Sequence, residues 1–181
     1  MKYLIASDLH GSWDWTEKLL AKFESEKADK LILLGDLYYH GPRNPLPKDY
    51  NPMEVSKILN SLKDKILCVK GNCDAEVDQM ISEFVINDHV NMELNNKKFM
   101  FTHGHKYNID NKVENIDVLI YGLFHKWFIK EEKNQYFINS GSITLPKNNT
   151  PNSYLVIESN NETINIILKD IDGNIIDNII L

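Results

Sequence analysis

Three short apolar segments in the first half of the chain each run into a polar loop, and this repeat constrains the fold more than any other feature. KYLIAS is followed by DLHGS, KLILLGD ends at Asp36, and KILCVKGNCD passes through Asn72. Short, nearly continuous apolar runs are typical of strands that are buried on both faces of a sheet. With helical segments between them, the order β-α-β-α-β predicts parallel strands covered by helices.

Two capping signals place the helices. Ser12 is a suitable cap for a helix that we predict over about Trp13–Ser25. Asn51 followed by Pro52 is typical of a cap and a first helical residue, and it predicts a second helix that continues to about Lys63.

The second half of the chain is richer in strands. HVNMELNNKKFMFTHGH predicts a hairpin that turns at Asn95-Asn96, and DVLIYG, YFINSGS, SYLVIES and TINIILKDIDGNIIDNIIL predict further strands. No linker or internal repeat divides the 181 residues, so we expect a single domain over residues 1–181. Together the segments predict an α/β fold in which two mixed sheets pack face to face with helices outside.

Charge and composition exclude several classes of protein. The formal charge of −6 argues against an extended nucleic-acid surface, which normally needs a basic face, although bound cations can still reverse the sign of a small pocket. No apolar run is long enough for a membrane helix, and the N-terminus enters a strand without a signal-peptide pattern. The two cysteines do not suggest a disulfide framework. We therefore expect a cytoplasmic protein that does not bind membranes.

Polar residues of metal-binding type gather at the ends of the predicted strands. Each alone is more simply explained as a turn, capping or hydrogen-bonded residue, but their joint pattern is specific. Carboxylate, amide and imidazole donors together suit divalent ions such as Mn²⁺, Fe²⁺, Co²⁺, Ni²⁺ or Zn²⁺. The candidate ligands are Asp8, His10, Asp36, Asn72, His103 and His125.

The same segments carry a resemblance to a known family. DLH, GD, GNCD, THGH and a terminal GxxH are similar to the ordered motifs of the calcineurin-like metallophosphoesterase superfamily. Within it, GDLYYHGPRNPLP, KGNCDAEVDQM and NSGSITLPK resemble the YfcE-type bacterial phosphodiesterases. The resemblance implies a four-layer α/β/β/α sandwich that hydrolyses a small phosphodiester with a metal-bound water. It also implies one or two divalent ions, with Mn²⁺ the first choice, and a chain that can form homo-oligomers.

The resemblance also implies roles for individual residues. Asp8, His10 and His125 would hold the first ion, Asp36 would bridge, and Asn72 and His103 would hold the second ion. Asn72 would also contact the phosphate. Many members have a histidine that is thought to act as an acid where this chain has Cys73, so no protein acid is assigned.

One position departs from the family pattern. The last family motif is Gly-His-x-His, whereas this chain has Gly122-Leu123-Phe124-His125. The missing histidine is the one expected to complete the second metal site, and its loss should weaken that site by about 2 kcal/mol or more. We therefore expect about one firmly held ion per chain.

Three explanations of Leu123 stay open at this stage. The enzyme could work with a loosely held or water-completed second ion, or His40 or His105 could replace the missing ligand. Alternatively, activity has been lost and the fold serves as a binding scaffold, as is thought for a retromer subunit of the same fold.

Residues that would contact the substrate are less well defined. His105 could face the substrate phosphate instead of a metal. Arg43, in the proline-rich loop over residues 37–51, could contact the phosphate or could lie in a stiff surface loop. A phosphomonoesterase is the alternative within enzymes. It would need extra positive groups for a dianion, and Arg43 and Lys106 are the obvious candidates.

Overall fold

The computed structural model describes residues 1–181, and its regular structure is mostly strand. The elements in chain order are β1 (Lys2–Ala6), α1 (Trp13–Ser25), β2 (Lys30–Leu33), α2 (Pro52–Asn60), a short 3-10 helix (Lys63–Lys65), β3 (Ile66–Val69), α3 (Glu76–Ile81), β4 (Ile86–Asn87), β5 (Val90–Leu94), β6 (Lys97–Phe101), β7 (Val118–Tyr121), β8 (Trp127–Glu132), β9 (Gln135–Ser140), β10 (Ser153–Ser159), β11 (Ile164–Asp170) and β12 (Ile175–Ile180).

The strands form two mixed sheets, and each has a parallel part. The larger sheet has the order β12-β11-β10-β1-β2-β3-β4, in which β1 to β4 are parallel. The smaller sheet has the order β5-β6-β7-β9-β8, in which β6, β7 and β9 are parallel. The predicted α/β class with two mixed sheets is confirmed.

Three apolar clusters hold the layers together. Fifteen buried residues fill the space between the two sheets, and eighteen lie largely between the larger sheet and the helices α1 and α2. The outer face of the smaller sheet is covered differently, because Ile109, Val113 and Ile116 pack on it from a segment that forms no helix. The fourth layer is therefore irregular chain, although the order of layers agrees with the predicted sandwich.

Both predicted helix starts are present. The Ser12 side chain accepts from the Trp15 amide at 3.4 Å, and the Asn51 side chain accepts from the Glu54 amide at 3.3 Å. The second helix ends at Asn60, earlier than expected, because the following amides bond three residues back and tighten the chain. No helix is long and apolar enough to traverse a lipid bilayer.

The hairpin turns show where sequence prediction works and where it fails. Asn95 and Asn96 both have positive φ, as the predicted two-residue hairpin turn requires. Lys133 and Asn134 have the same backbone conformation and join β8 to β9. The sequence does not predict β8, since lysine is an unusual residue at positive φ. The short elements α3 and β4 are also not predicted.

Candidate metal centre

The carboxyl ends of parallel strands from both sheets meet at one edge of the sandwich. The chain there brings all six predicted ligands together, Asp8 and His10 after β1, Asp36 after β2, Asn72 after β3, His103 after β6 and His125 after β7. Five of the six side chains are buried, and Asn72 alone is exposed. Since charged residues are almost never fully buried without a partner, this concentration marks a built site.

The three histidines are held in one orientation by the main chain. Each Nδ1 lies within hydrogen-bond distance of a carbonyl oxygen, so Nδ1 carries the proton and donates it, and Nε2 keeps a free lone pair. The pairs are His10 with Tyr39 at 2.9 Å, His103 with Leu34 at 2.7 Å and His125 with Leu145 at 2.7 Å.

The first ligand cluster consists of Asp8, His10, His125 and Asp36. The Nε2 atoms of His10 and His125 are 3.3 Å apart. Asp8 Oδ1 lies 3.2 Å from His125 Nε2 and 3.6 Å from His10 Nε2. Two ligands at about 2.1 Å from a shared ion are separated by about 3–3.5 Å, so this spacing fits a cation. Both oxygens of Asp8 are buried and have no hydrogen-bond partner. The residues therefore fit a divalent ion.

The second ligand cluster consists of Asp36, Asn72 and His103. Asp36 Oδ2 lies 3.7 Å from His10 Nε2 and 3.4 Å from His103 Nε2, which puts one carboxylate oxygen between the two clusters. Its other oxygen accepts from the Cys73 amide at 2.8 Å. Asn72 Oδ1 lies 3.0 Å from His103 Nε2. Asp36 thus lies between the two clusters.

The electrostatics of the site favour a positive charge. Burial by itself would raise the pKa of Asp8, but the neighbouring His10 and His125 hold that pKa well below its usual range. Burial likewise opposes protonation of His103, yet Asp36 and Asp8 raise the pKa of His103 to about 9. Without an ion, protonated imidazoles therefore compensate the negative charge of the buried carboxylates. A divalent ion would supply the same positive charge.

The backbone at the ligand positions is strained. Asp8, His10, Asp36, Leu123 and His125 all have positive φ, between 50° and 67°. This region is uncommon for residues other than glycine, and such outliers cluster at functional sites. Leu123 keeps the same kind of backbone as the ligands around it although its side chain offers no donor.

Leu123 forms part of the wall of a cavity of about 490 Å³ that opens beside the second cluster. Its side chain lies next to Gly104, where an added Cβ would be 3.3 Å from the Leu123 Cβ. The apolar side chain thus occupies a place that the family pattern gives to imidazole.

Neither of the two histidines considered as replacements joins a ligand cluster. The His40 ring packs against Tyr39 and Tyr50, with centroids 4.8 Å and 5.3 Å away, and it does not line the cavity. His105 is exposed, and its ring centroid is 5.6 Å from that of His103. The second cluster is therefore left with three protein donors.

Other residues of the cavity wall agree only partly with the sequence prediction. Arg43 lines the cavity, whereas His105 and Lys106 do not. Lys147 and Cys73 also line it and are not predicted to contact substrate. For Lys147 the one signal is its position at the end of NSGSITLPK.

Asp74 is a supporting residue that the sequence analysis does not identify. Its buried carboxylate accepts from the amides of Asp36 and Leu37 at 2.8 Å and of Gly71 at 2.7 Å. A side chain at Gly71 would collide with Asp36, so this turn needs glycine. The GNCD segment therefore carries Asn72 and also holds the neighbouring Asp36 loop in position through Asp74.

The NSGS segment supports the first cluster in a similar way. Ser142 Oγ donates to the Asp8 carbonyl at 3.1 Å and accepts from the Leu145 amide at 2.9 Å. Asn139 donates to the Gly122 carbonyl. These contacts give the segment a structural role next to the metal site.

Comparisons with known proteins agree with the fold and the site. A calcineurin-like phosphoesterase superfamily domain matches residues 1–162. The chain is 39% identical to the phosphodiesterase YfcE of Escherichia coli over 170 residues, which covers 92% of this chain and 91% of the relative. The crystal structure of the Escherichia coli YfcE phosphoesterase superposes with a TM-score of 0.92 at 36% identity, covering 99% of this chain and 98% of that one.

A more distant likeness concerns the fold alone. A single mutant of Vps29 from Entamoeba histolytica matches with a TM-score of 0.66 at 22% identity, covering 100% of this chain and 99% of that chain.

These findings define a phosphoesterase that depends on a divalent metal. The chain belongs to the calcineurin-like phosphoesterase superfamily. Among its relatives the phosphodiesterase YfcE matches it along nearly the whole length. The predicted enzyme class is confirmed at the level of the family.

Proposed function

We propose that this chain hydrolyses a small phosphodiester in the cavity beside Asp36, with one divalent ion held firmly by the first cluster and a second held weakly. The observation that carries the proposal is the buried Asp8 carboxylate, whose oxygens have no hydrogen-bond partner and whose Oδ1 faces the Nε2 atoms of His10 and His125. Without a cation these groups are costly to bury. The 39% identity to a phosphodiesterase supports the diester.

The mixed donor set favours Mn²⁺, with Fe²⁺, Co²⁺, Ni²⁺ and Zn²⁺ as further candidates. Asp8, His10, His125 and Asp36 would hold the first ion, and Asp36, Asn72 and His103 the second. Bound divalent ions at such a site supply an activated water and neutralise charge on the phosphoryl group.

The other cavity residues orient the substrate. The exposed Asn72 amide lies at the cavity wall beside the second cluster and is placed to contact both an ion and a phosphoryl oxygen. Arg43 and Lys147 line the same cavity and add two positive side chains for the phosphoryl oxygens.

Cys73, at the position where many family members have a histidine, is not suited to protonate the leaving group. Burial and the nearby Asp36 raise the pKa of the Cys73 thiol to about 12, so it is a poor acid near neutral pH. The proton for the leaving oxygen then comes from solvent, and a leaving group of low pKa is favoured.

Hydrolysis of bis(p-nitrophenyl) phosphate with added Mn²⁺ tests the proposal. We expect turnover by the wild type, faster turnover by Leu123→His, and a loss of at least about 10³-fold in Asp8→Asn. Absence of turnover in both the wild type and Leu123→His would overturn the hydrolase function. The monoester p-nitrophenyl phosphate, assayed in parallel, distinguishes a phosphomonoesterase from a diesterase.

A second candidate function is a binding scaffold without turnover, and the apolar Leu123 at the second cluster is the observation that favours it. Turnover that appears only in the Leu123→His variant would support this function. The hydrolase is preferred because the six predicted ligands are all retained and meet at one edge of the sandwich.

A further inference from the structure

A cysteine lies among the ligand atoms of the metal centre, and neither cluster described above uses it. The Cys73 sulfur, one nitrogen of His10 and one carboxylate oxygen of Asp36 all lie within 4.8 Å of one another. Atoms this close can reach one ion after small adjustments, and the group combines a soft donor with an imidazole and a carboxylate.

The main chain fixes the position of this sulfur. The Cys73 amide donates to Asp36 Oδ1 at 2.8 Å, so the cysteine moves with the bridging carboxylate. Gly41 lies over the sulfur, and an added Cβ there would be only 3.0 Å from Sγ, which shows how closely the loop packs. Asn72 Nδ2 donates to Sγ at 3.3 Å from the neighbouring position. Cys73 is half-buried and lines the cavity.

The unpartnered carboxylate of Asp8 is an independent sign that a cation belongs here. It is fully buried, and its Oδ1 lies 3.6 Å from His10 Nε2. Asp36 Oδ2 is 3.7 Å from that nitrogen on the other side. The sulfur therefore borders a position that already has carboxylate and imidazole donors directed at it.

We propose that Cys73 is a further metal ligand, whose thiolate joins His10 and Asp36 when a thiophilic divalent ion such as Zn²⁺ or Co²⁺ binds. The inference rests on the proposed metal centre. On coordination the S–H bond breaks, its proton passes to solvent, and a sulfur lone pair forms the bond to the ion, so no electron is transferred. Harder Mn²⁺ has little affinity for sulfur and leaves the thiol free.

This ligand makes the centre discriminate between metals. A thiophilic ion gains one more protein donor than Mn²⁺ does, and the sulfur then occupies part of the cavity wall where substrate would bind. The difference in affinity between Zn²⁺ and Mn²⁺ is thus larger than nitrogen and oxygen donors alone would give. Cys73 also supplies a donor close to the cluster that Leu123 leaves short.

The test is the ultraviolet absorption of the cobalt-loaded protein. Metal-free protein is titrated with Co²⁺, bound cobalt is counted after dialysis, and the sulfur-to-cobalt charge-transfer band is recorded. The variant is Cys73→Ser, and the matched control is Cys68→Ala, because Cys68 is the only other cysteine and is buried in β3. Thermal melts confirm that both variants fold.

We expect the band in the wild type and in Cys68→Ala, and its loss in Cys73→Ser. In competition experiments Cys73→Ser should bind Zn²⁺ at least about tenfold more weakly, with Mn²⁺ affinity changed by less than about threefold. Bound cobalt without the band, or a band that survives in Cys73→Ser, would overturn the inference and leave the metal centre standing. Failure to bind any cobalt would overturn the metal centre together with the inference.

Discussion

The two ligand clusters share Asp36 but differ in how far they are enclosed. In the first cluster Asp8 and His10 are fully buried and His125 is 3% exposed. In the second, Asn72 is exposed and Leu123 lies at the wall of the open cavity. The interior cluster keeps every donor of the family pattern, whereas the cluster beside the cavity has lost one.

Burial explains why the loss falls on the second cluster. Removing a donor next to Asp8 would leave a carboxylate uncompensated in the interior, and breaking such a buried pair costs about 3–5 kcal/mol. Leu123 is only half-buried at the cavity wall, so an apolar residue at that position is less damaging to the fold. The first cluster is constrained by stability as well as by metal binding, and the second chiefly by metal binding.

The largest effect is expected where the two clusters meet. Asp36→Asn removes the charge of the shared carboxylate, and we expect turnover of the diester to fall by at least about 10³-fold with weaker metal binding at both clusters. Steady-state kinetics and metal analysis measure the two effects. The exposed Asp110→Asn variant is the control and should behave as the wild type. Unchanged metal content in Asp36→Asn would show that this residue does not bridge.

The comparison is tested most directly by restoring the missing donor. Leu123 already has the backbone conformation of its ligand neighbours, and histidine tolerates positive φ better than leucine. Leu123→His should therefore tighten the second ion by about 2 kcal/mol, or roughly 30-fold, and raise the count after dialysis in Mn²⁺ from about one to about two.

Leu123→Ala distinguishes the effect of an added nitrogen donor from the effect of removing the bulky leucine side chain, because it shortens that side chain without adding nitrogen. It should remain near one ion per chain. Counts near two in the wild type would show instead that the second cluster is already complete.

The pH dependence of metal binding should reveal the single imidazole of the second cluster. The pKa of His103 is raised to about 9 in the metal-free protein, so near neutral pH an ion must displace a proton from this ring. Affinity at the second cluster should rise about tenfold per pH unit between pH 7 and pH 9 and level off above it. Isothermal titration of the wild type across this range measures the slope, because Leu123→His would add a second imidazole to this cluster. A flat profile would contradict the role of His103.

A smaller effect is expected from a residue that supports only the first cluster. Ser142→Ala removes the hydrogen bond to the Asp8 carbonyl and the acceptor for the Leu145 amide. Substitutions of such outer groups typically weaken metal binding by 10–100-fold, and we expect about tenfold here at the first ion. The second ion, measured in the Leu123→His background, should be almost unaffected. An equal loss at both ions would mean that the clusters are not independent.

Features with a strong local signal could be predicted from the sequence. The Ser12 and Asn51 caps, the Asn95-Asn96 turn and the buried strands each depend on contacts within a few residues. By contrast, α3 is only six residues long, and β8 is stabilised by its pairing with β9. Elements that depend on tertiary contacts more than on local preference are not visible in a single sequence.

The site shows the same division. The six candidate ligands could be predicted because each follows a recognisable strand and the chain order agrees with the family motifs. Lys147 could not, since its closeness to the centre depends on where the loop after β9 folds back, and the resemblance places Cys73 at the site without giving it a role as a ligand. The residue type of Lys147 gives no signal until the cavity is known.

The main-chain anchoring of the three imidazoles has a consequence for how such a centre can change over evolutionary time. The carbonyl groups of Leu34, Tyr39 and Leu145 orient the rings, and every amino acid possesses that group. Substitution of these three residues therefore leaves the direction of the nitrogen lone pairs unchanged. One donor can be lost and later regained while the remaining donors keep their directions.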